Sequence, residues 1–216
     1  MDTGTAHQRH REPRHARADG ERTRAAILRA ATSLATVEGL EGLSIGHLAA
    51  ALGMSKSGLY AHFGSKQELQ LATVEEAERI FDGEVVQPAL AARPGRDQLA
   101  AACEAYFSYL ERRVFPGGCF FAVTALEMGT RPGPVRDRVA AIQSGFTALL
   151  QSFAVTALEQ HELPAREDPD RLAFELHAIL LAADTKFVLL DDPAVLDFAR
   201  QIVHQRLGLS NGSTAG

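Results

Sequence analysis

The sequence has 216 residues, with 22 Lys and Arg against 27 Asp and Glu and a formal net charge of −5. This length can bury a substantial hydrophobic core, in one large domain or two small ones. No run reaches the roughly eighteen uninterrupted apolar residues of a membrane span, and the charged, His-rich start is unlike a secretory signal, so we expect neither. Cys103 and Cys119 have no disulfide or metal-ligand spacing, so we expect reduced thiols and no metal site.

The charge is unevenly distributed along the chain. Residues 1–66 carry nine Lys and Arg against six Asp and Glu, whereas the remainder carries thirteen against twenty-one. A moderately cationic amino-terminal part on an acidic body suits a small phosphate footprint. A nonspecific nucleoid-binding protein would need a larger cationic surface.

The two ends of the chain are predicted to be disordered tails, at residues 1–20 and 209–216. The first contains almost no large apolar side chains, which is typical of segments that cannot build a core. Its histidines leave two alternatives open, a metal-binding tract and an arm that enters the minor groove of DNA.

Nearly everything between the tails is predicted to be helical. Apolar residues recur at helical spacing and no strand-like alternation of useful length occurs, so the predicted fold class is all-α. Pro and Gly separate the helices, and Pro88 sets the end of the fourth. The predicted helices span residues 21–38, 44–51, 55–61, 65–86, 97–114, 119–129, 134–161, 169–191 and 193–208.

The second and third predicted helices have the pattern of a helix-turn-helix. Ser44 can cap the first of them, Gly53 permits the turn, and Ser55 can cap the second. Because Leu59 and Phe63 point inward, the second helix turns a polar, cationic face without a carboxylate outward. Such a helix fits the major groove of a duplex, although a solvated face on an ordinary helical hairpin is the alternative.

A capping box from Ser65 to Glu68 then starts the next helix beside the same surface, with Lys66 near its N-terminus. Together these segments supply eight candidate DNA-binding residues. They are Ser44, Ser55, Lys56, Ser57, Gly58, Tyr60, His62 and Lys66.

The segment from Arg22 to about Leu71 resembles the DNA-binding domain of the TetR/AcrR family of transcriptional regulators. The most specific shared motif is Leu59-Tyr60-x-His62-Phe63 followed by Ser65-Lys66-x-x-Leu69. Further matching residues are Ile27, Leu28, Ala30, Ala31, Gly39, Leu43, Ser44, Leu48, Ala49 and Gly53. The commonest family version has Gly then Thr before Leu-Tyr, where this chain has Ser57 and Gly58, so family operator sequences do not transfer.

The resemblance implies a three-helix DNA-binding domain at residues 21–66 and a helical effector-binding and dimerisation domain at 67–208. It also implies a regulator in a bacterial cytoplasm that binds a near-palindromic DNA operator as a homodimer. Repression is expected because an occupied operator blocks polymerase, with activation as the alternative. A small apolar or aromatic effector would release the regulator. No phosphate-loop, zinc-protease or serine-hydrolase motif occurs, so we expect no enzymatic activity and no cofactor. The alternative is a helical protein that binds or sequesters small molecules without recognising specific DNA.

Aromatic residues recur on three successive helices of the second domain. Ordinary core packing explains any single one, whereas the resemblance implies an effector cavity between these helices. The candidate effector-binding residues are Tyr106, Phe107, Phe120, Phe121, Thr124, Met128, Gln143, Phe146 and His177. The glycine-rich turn at 115–120 could bring backbone close to the mouth of such a cavity, but a plain connector is equally compatible with it.

The helix predicted at 169–191 is apolar nearly all round, so it needs cover on both sides. Packing it and the last helix against symmetry mates gives an isologous dimer, with burial inside a large monomer as the alternative. The candidate interface residues are Phe174, Ala178, Leu181, Ala182, Thr185, Leu196, Ala199 and Val203. Asp184 and Lys186 are predicted at the solvent edge or in ion pairs across the dimer.

Overall fold

The computed structural model describes the backbone of residues 12–209 and the side chains of residues 19–209. In this range helices follow one another without a strand, which confirms the all-α prediction. The predicted tails at 1–11 and 210–216 lie outside the described residues. The helices are α1 (Glu12–Glu38), α2 (Ile45–Ala51), α3 (Lys56–Phe63), α4 (Lys66–Phe81), α5 (Gln87–Ala91), α6 (Arg96–Glu111), α7 (Phe120–Met128), α8 (Pro134–Glu159), α9 (Pro169–Leu190) and α10 (Ala194–Arg206).

The first helix begins at Glu12, so the prediction of disorder is wrong for residues 12–20. Scarcity of large apolar side chains suggested a tail, but a nucleated helix extends at small cost through Ala, Arg and Glu. Local contacts support this extension, because Thr23 Oγ1 donates to the Asp19 carbonyl at 2.8 Å and Arg22 pairs with Asp19 at 3.5 Å.

The head of the molecule comprises α1, α2 and α3, and its short helices are held by caps and a shared core. Ser44 Oγ accepts from the His47 amide at 3.1 Å, and Gly53 adopts φ of 64° between the two helices. Neither short helix would be stable alone, because isolated helices of this length are marginal in water. Packing compensates, through the buried side chains Ile27, Ala31, Leu40, Ile45, Leu48, Leu59 and Phe63.

The prediction that the fourth helix ends at residue 86, before Pro88, is wrong, because the helical path continues through this proline. A π-helical turn at Asp82–Val86 follows α4, and the chain continues as α5 through Pro88 to Ala91. Proline lacks an amide hydrogen and clashes with the carbonyl four residues earlier in an α-helix. The wider π-helical turn accommodates that clash and lets the helical path continue.

The body comprises α6 to α10 packed around α4, with an aromatic cluster at the centre. Phe81 from α4 makes edge-to-face contacts with Tyr106, Tyr109, Phe121 and Phe146, at ring-centroid distances of 6.2, 6.0, 5.8 and 5.1 Å. Edge-to-face packing adds stabilisation beyond the buried area. Since α4 begins beside α3 and ends in this cluster, it links the head to the body.

One helix of the described residues, α8, is long and apolar enough to cross a membrane by length and composition alone. Its inward side chains are buried in the body, as in the core helix of a folded domain, and they include Val139, Ile142, Phe146, Leu150 and Phe153. Amphipathic packing against α9, α4, α6 and α7 therefore accounts for the composition.

Candidate functional site

The outward face of α3 is built by one serine cap and two buried anchors. Ser55 Oγ accepts from the Gly58 amide at 3.0 Å, while Leu59 and Phe63 are buried against the head core. Because the two anchors set the rotation of the helix, Ser57 and Tyr60 face solvent, and Tyr60 is 51% exposed.

Lys56 is exposed at the start of α3, and its side chain passes over the first turn of α2. A Cβ added at Gly46 would lie 3.1 Å from Lys56 Cε and 3.4 Å from Nζ, so Gly46 leaves room for this side chain. Ser44 is exposed at the start of α2 and His62 is half-buried at the end of α3. With Ser57 and Tyr60, these polar side chains are all at least partly open to solvent on α3 or at the start of α2.

Arg24 on α1 holds the end of α3, a role that the sequence analysis missed. Its guanidinium donates to the His62 carbonyl at 2.7 Å and lies 4.4 Å from the centre of the Phe63 ring. A cation at a helix C-terminus satisfies unpaired carbonyls and interacts favourably with the helix dipole. Arg24 therefore fixes the end of α3 and orients its polar face, although Arg24 itself lies on α1.

Lys66 lies at the start of α4, where Ser65 caps the helix as predicted, but its ammonium is already engaged. It donates to the Glu41 carbonyl at 2.7 Å and to Glu41 Oε1 at 2.8 Å. The hydrogen bond from Lys66 to the Glu41 carboxylate, followed by one from Gln70, lowers the pKa of Glu41. A phosphate contact by Lys66 would have to share this ammonium with Glu41.

The turn after α1 forms a second junction between head and body, beside α4. The Leu40 and Glu41 amides donate to Glu127 on α7, at 2.7 and 2.9 Å, and Gln70 Nε2 donates to the Leu40 carbonyl at 2.9 Å. Gly39 has φ of 84°, and a Cβ there would lie 2.8 Å from Glu127 Oε1. The carboxylate of Glu127 thus fits against a turn that requires glycine at position 39. The sequence alone does not identify Glu127 as part of this junction.

The nine candidate effector residues do not surround a single cavity. Most are packed in the core, and polar groups among them are used internally, since Thr124 donates to the Phe120 carbonyl at 2.8 Å and Gln143 to the Phe121 carbonyl at 2.9 Å. His177 Nδ1 lies 2.9 Å from Thr147 Oγ1, and burial lowers the pKa of this imidazole. The buried candidates are Tyr106, Phe107, Phe120, Phe121, Thr124, Met128 and Phe146.

Two of these candidates line open clefts. Gln143 lines one of about 370 Å³ between α7, α8 and α9, and Phe146 lines another of about 290 Å³ between α4 and α8. A third groove, of about 560 Å³, lies between α7 and α9 and contains Asp184 and Glu127. These grooves are where the body can admit a small molecule without unpacking its core.

Asp184 is buried, so the prediction that it lies at the solvent edge or in an ion pair across the dimer is wrong. The reason is its position on α9, four residues after Leu180 and eight after Leu176, both fully buried. The Cys119 amide donates to its two oxygens at 3.2 and 3.3 Å. Burial raises the pKa of Asp184 to about 7.

The candidate dimer residues divide between surface and core. Phe174, Ala178, Ala182 and Thr185 are exposed along α9, and Leu181 is half-buried beside them. Three on α10 are buried in the protomer itself, so assigning them to an interface is wrong, and they are Leu196, Ala199 and Val203.

On α10 the exposed apolar side chain is instead Phe198, which is 65% exposed, with Ile202 half-buried one turn later. Helical periodicity explains the error, because residues of both faces are apolar and the sequence alone does not say which face meets the core. The outward apolar surface therefore combines Phe174, Ala178 and Ala182 of α9 with Phe198 of α10.

Comparison with known proteins supports both parts of this arrangement. Residues 27–73 match the description "Bacterial regulatory proteins, tetR family", and residues 95–203 match "Tetracyclin repressor-like, C-terminal domain". The sequence has no significant match among curated proteins.

Several solved structures share the fold. A TetR transcriptional regulator from Chloroflexus aurantiacus is 27% identical, covers 88% of this chain and 96% of its own, and has a TM-score of 0.82. A TetR-family regulator from Cytophaga hutchinsonii is 18% identical over 88% and 95%, with a TM-score of 0.75. AibR, solved with isovaleryl coenzyme A and operator DNA, is 24% identical over 84% and 97%, with a TM-score of 0.67.

The first matched segment covers α2, α3 and parts of α1 and α4, and the second runs from α6 into α10 and spans about half of the chain. The helix-turn-helix lies within the first, and the three grooves lie mainly within the second. The chain therefore belongs to the tetR family of bacterial regulatory proteins and is a non-enzymatic transcriptional regulator with a DNA-binding and a ligand-binding domain.

Proposed function

We propose that this protein represses transcription in a bacterial cytoplasm, by binding a near-palindromic operator as a homodimer until a small, largely apolar effector releases it. The observation that carries the proposal is the outward face of α3, where Lys56, Ser57 and Tyr60 are exposed and no carboxylate occurs in the helix. A short, cationic face of this kind suits the major groove, where polar side chains reach base edges between two phosphate backbones.

The proposed DNA contacts follow from the position of each side chain. Lys56, Ser57, Gly58 and Tyr60 are assigned to the groove and the bases, with Ser55 as the cap that orients them. Phosphate contacts are assigned to Ser44, Tyr60, His62 and Lys66, because phosphates lie along the edges of the groove.

The proposed homodimer rests on the apolar surface of α9 and α10. Phe174 is 71% exposed there, and Ala178 and Ala182 allow close helix–helix approach. An exposed apolar surface of this kind on a soluble domain marks an interaction site. A twofold axis through it would present two copies of α3, which must lie about 34 Å apart to enter successive major grooves.

The proposed effector response needs a connection between the ligand-binding body and the head. Binding of isovaleryl coenzyme A by AibR shows that a protein of this fold accommodates a ligand with an apolar acyl group. Leu181 and Ala182 of the proposed interface line the groove beside Gln143, so the grooves beside Phe146 and Asp184 supply the space, and α4 and Glu127 join the body to the head. An effector drives release only if it binds the DNA-free arrangement more tightly than the DNA-bound one.

Fluorescence anisotropy with a duplex from the intergenic region upstream of the protein's own gene, and with a shuffled duplex, tests the DNA-binding part. We expect clear preference for the natural duplex. Ser57→Asp should reduce affinity about thirtyfold or more, because a carboxylate on α3 is repelled by phosphates. An acidic residue in the first turn favours the helix dipole, so folding is preserved. The matched control is Ser152→Asp, on the exposed face of α8.

The two competing functions give different results in the same experiment. Equal affinity for both duplexes indicates a nonspecific nucleoid-binding protein. Binding to neither duplex, with a folded protein that still takes up small molecules, indicates a binding or sequestering protein and contradicts the proposal.

A further inference from the structure

The groove between α7 and α9 is apolar along its walls and acidic at its floor. Asp184, 3% exposed, lies in that floor. The apolar walls are formed by Ala122, Val123, Leu126, Val188 and Leu189. An apolar groove with one polar group at its end is typical of a site for a small molecule with one polar end.

Asp184 has few hydrogen bonds for a buried carboxylate. A carboxylate can accept about four, but within residues 19–209 the donor to Asp184 is the Cys119 amide, whose single hydrogen is shared between Oδ1 and Oδ2. Burial is also the main cause of the raised pKa of Asp184, and that one amide opposes it. Such a carboxylate costs free energy unless a proton or a cation joins it.

Two tyrosine hydroxyls from α6 are also buried, within electrostatic range of Asp184. The hydroxyls of Tyr106 and Tyr109 are buried beside the Cys119 thiol, and neither meets the geometry of a hydrogen bond with any described residue. Burial raises the pKa of both phenols, and the negative forms of Cys119 and Asp184 raise it further, so the four groups lie within electrostatic range of one another. Unpartnered buried polar atoms are rare in folded proteins, so these two hydroxyls, within electrostatic range of a carboxylate with acceptor sites left, indicate a missing hydrogen-bonding partner.

The other charged group that lines this groove does not have the same capacity. Glu127 accepts two amides of the head, Leu40 and Glu41, with one on each oxygen. Burial raises the pKa of the Cys119 thiol to about 11, so this thiol is neutral. Asp184 is therefore the group with acceptor sites left for a ligand.

We propose that this groove binds an organic ammonium ion, with its apolar body between α7 and α9 and its charged nitrogen at Asp184. The inference rests on the proposed function, because it names the class of effector. A primary ammonium group offers three donors, which match the unfilled acceptor sites of the Asp184 carboxylate. A ligand carboxylate would be repelled by the ionised form of Asp184, and a neutral ligand would leave only a proton to compensate that charge.

Asp184 also contacts a turn that reaches the head. A Cβ added at Gly118 would lie 2.3 Å from Asp184 Oδ1, so the turn passes directly over the carboxylate. The preceding residue, Gly117, donates to Thr36 Oγ1 of α1 at 3.2 Å, and its own Cβ would lie 2.0 Å from the Thr36 carbonyl oxygen. A ligand that reorients Asp184 therefore acts on a turn in contact with the first helix of the head.

Isothermal titration calorimetry on the full chain without DNA tests the site with 4-phenylbutylamine, 4-phenylbutanol and 4-phenylbutyrate, which share one skeleton and differ in charge. We expect the amine to bind on the order of tenfold more tightly than the alcohol, and the carboxylate most weakly. Asp184→Asn should abolish the preference for the amine. Asp137→Asn, which removes an exposed carboxylate from the first turn of α8, should retain it.

A second measurement uses the wild-type protein, so it does not depend on how a variant folds. Amine binding should weaken as the pH falls through about 7, because Asp184 becomes protonated while the amine keeps its charge. Equal affinity for amine and alcohol, or a preference that survives Asp184→Asn, overturns the inference. Since no DNA is present, that result leaves operator binding untouched, and a failed operator experiment leaves amine binding standing.

Discussion

The head of this protein has its candidate binding groups on the surface, whereas the body has its candidate binding groups in the interior. In the head, Ser57 and Tyr60 project from a short helix into solvent, where a partner as large as a duplex can reach them. In the body, Asp184, Tyr106 and Tyr109 are buried with few hydrogen-bond partners, where only a small molecule can enter. The comparison indicates that one chain divides recognition of a macromolecule and of a small molecule between surface and interior.

The head and the body meet through close hydrogen bonds between backbone amides and side chains. Glu127 of α7 accepts the Leu40 and Glu41 amides, and the amide of Gly117 donates to Thr36. Packed contacts of this kind do not deform continuously, so a change in the body is passed on as a change in head position.

The largest effect is expected from separating the two heads. Ala182→Asp places a charge on the outward apolar face of α9 and should dissociate the proposed dimer. Loss of the second head should lower operator affinity by about 10² to 10⁴, because the second binding event is no longer intramolecular. Sedimentation velocity and fluorescence anisotropy measure the two consequences.

Ala140→Asp is the matched control, since Ala140 is exposed on α8 outside the proposed interface. It should leave both the mass and the affinity unchanged. A dimeric mass for Ala182→Asp would remove α9 as the interface.

The interior of the body should respond strongly to pH. The pKa of Asp184 is raised from 3.8 to about 7 in the folded protein, so the folded state holds the proton more tightly than the unfolded state. Its contribution to stability is complete below about pH 4 and is lost as the pH rises to about 7, by on the order of 4 kcal/mol. Urea denaturation of Asp184→Asn at about pH 5 and about pH 8 should show that this loss is absent.

Asp137→Asn is the control that separates the effect of burying a carboxylate from the effect of removing a charge. That carboxylate is exposed, so its removal should leave the pH dependence of the wild-type protein in place. If Asp184→Asn loses as much stability with rising pH as the wild type, Asp184 is not the group responsible.

The junction should respond to a smaller change. Glu127→Gln turns an amide nitrogen toward one of the two backbone amides, so one donor loses its acceptor, at a cost of about 1 to 3 kcal/mol. Hydrogen exchange at Leu40 and Glu41 should become faster, while Glu159→Gln at the exposed end of α8 should not affect it. Unchanged exchange at both amides would show that Glu127 does not hold the turn in solution.

The parts of the molecule that sequence analysis predicted correctly depend on neighbouring residues. Ser44 and Ser55 cap their helices as expected because a cap acts within three residues. Asp184 was misplaced although a local signal existed, since Leu176 and Leu180 put it on the buried stripe of α9. The charge of Asp184 favours the surface, but its position four residues after Leu180 places it in the core.

The remaining errors and omissions come from tertiary contacts. Glu127 reaches Leu40 across 87 residues and Arg24 reaches His62 across 38, and no pattern within one helix indicates such pairs. Leu196 was assigned to the dimer because both faces of α10 carry apolar residues, and packing within the protomer decided between them.

The smallest expected effect concerns Lys66, where the head and its junction overlap. Its ammonium already binds Glu41, so Lys66→Ala should weaken operator binding only a few-fold, about 0.5 to 1 kcal/mol, with a slightly shallower salt slope. Glu41→Gln replaces the ion pair of Lys66 by a neutral contact, leaves its hydrogen bond to the Glu41 carbonyl and removes a negative charge near the duplex, so it should raise both affinity and salt slope.

Anisotropy titrations over a series of salt concentrations, on both single variants and the double variant, separate the two roles of Lys66. If Lys66 contacts phosphate, its removal should cost more affinity in the Glu41→Gln background than in the wild type, because the competing carboxylate is gone. If Lys66→Ala changes neither affinity nor slope in either background, the ammonium serves only to hold the turn at Glu41, and the phosphate contacts of the head must come from Ser44, Tyr60 and His62.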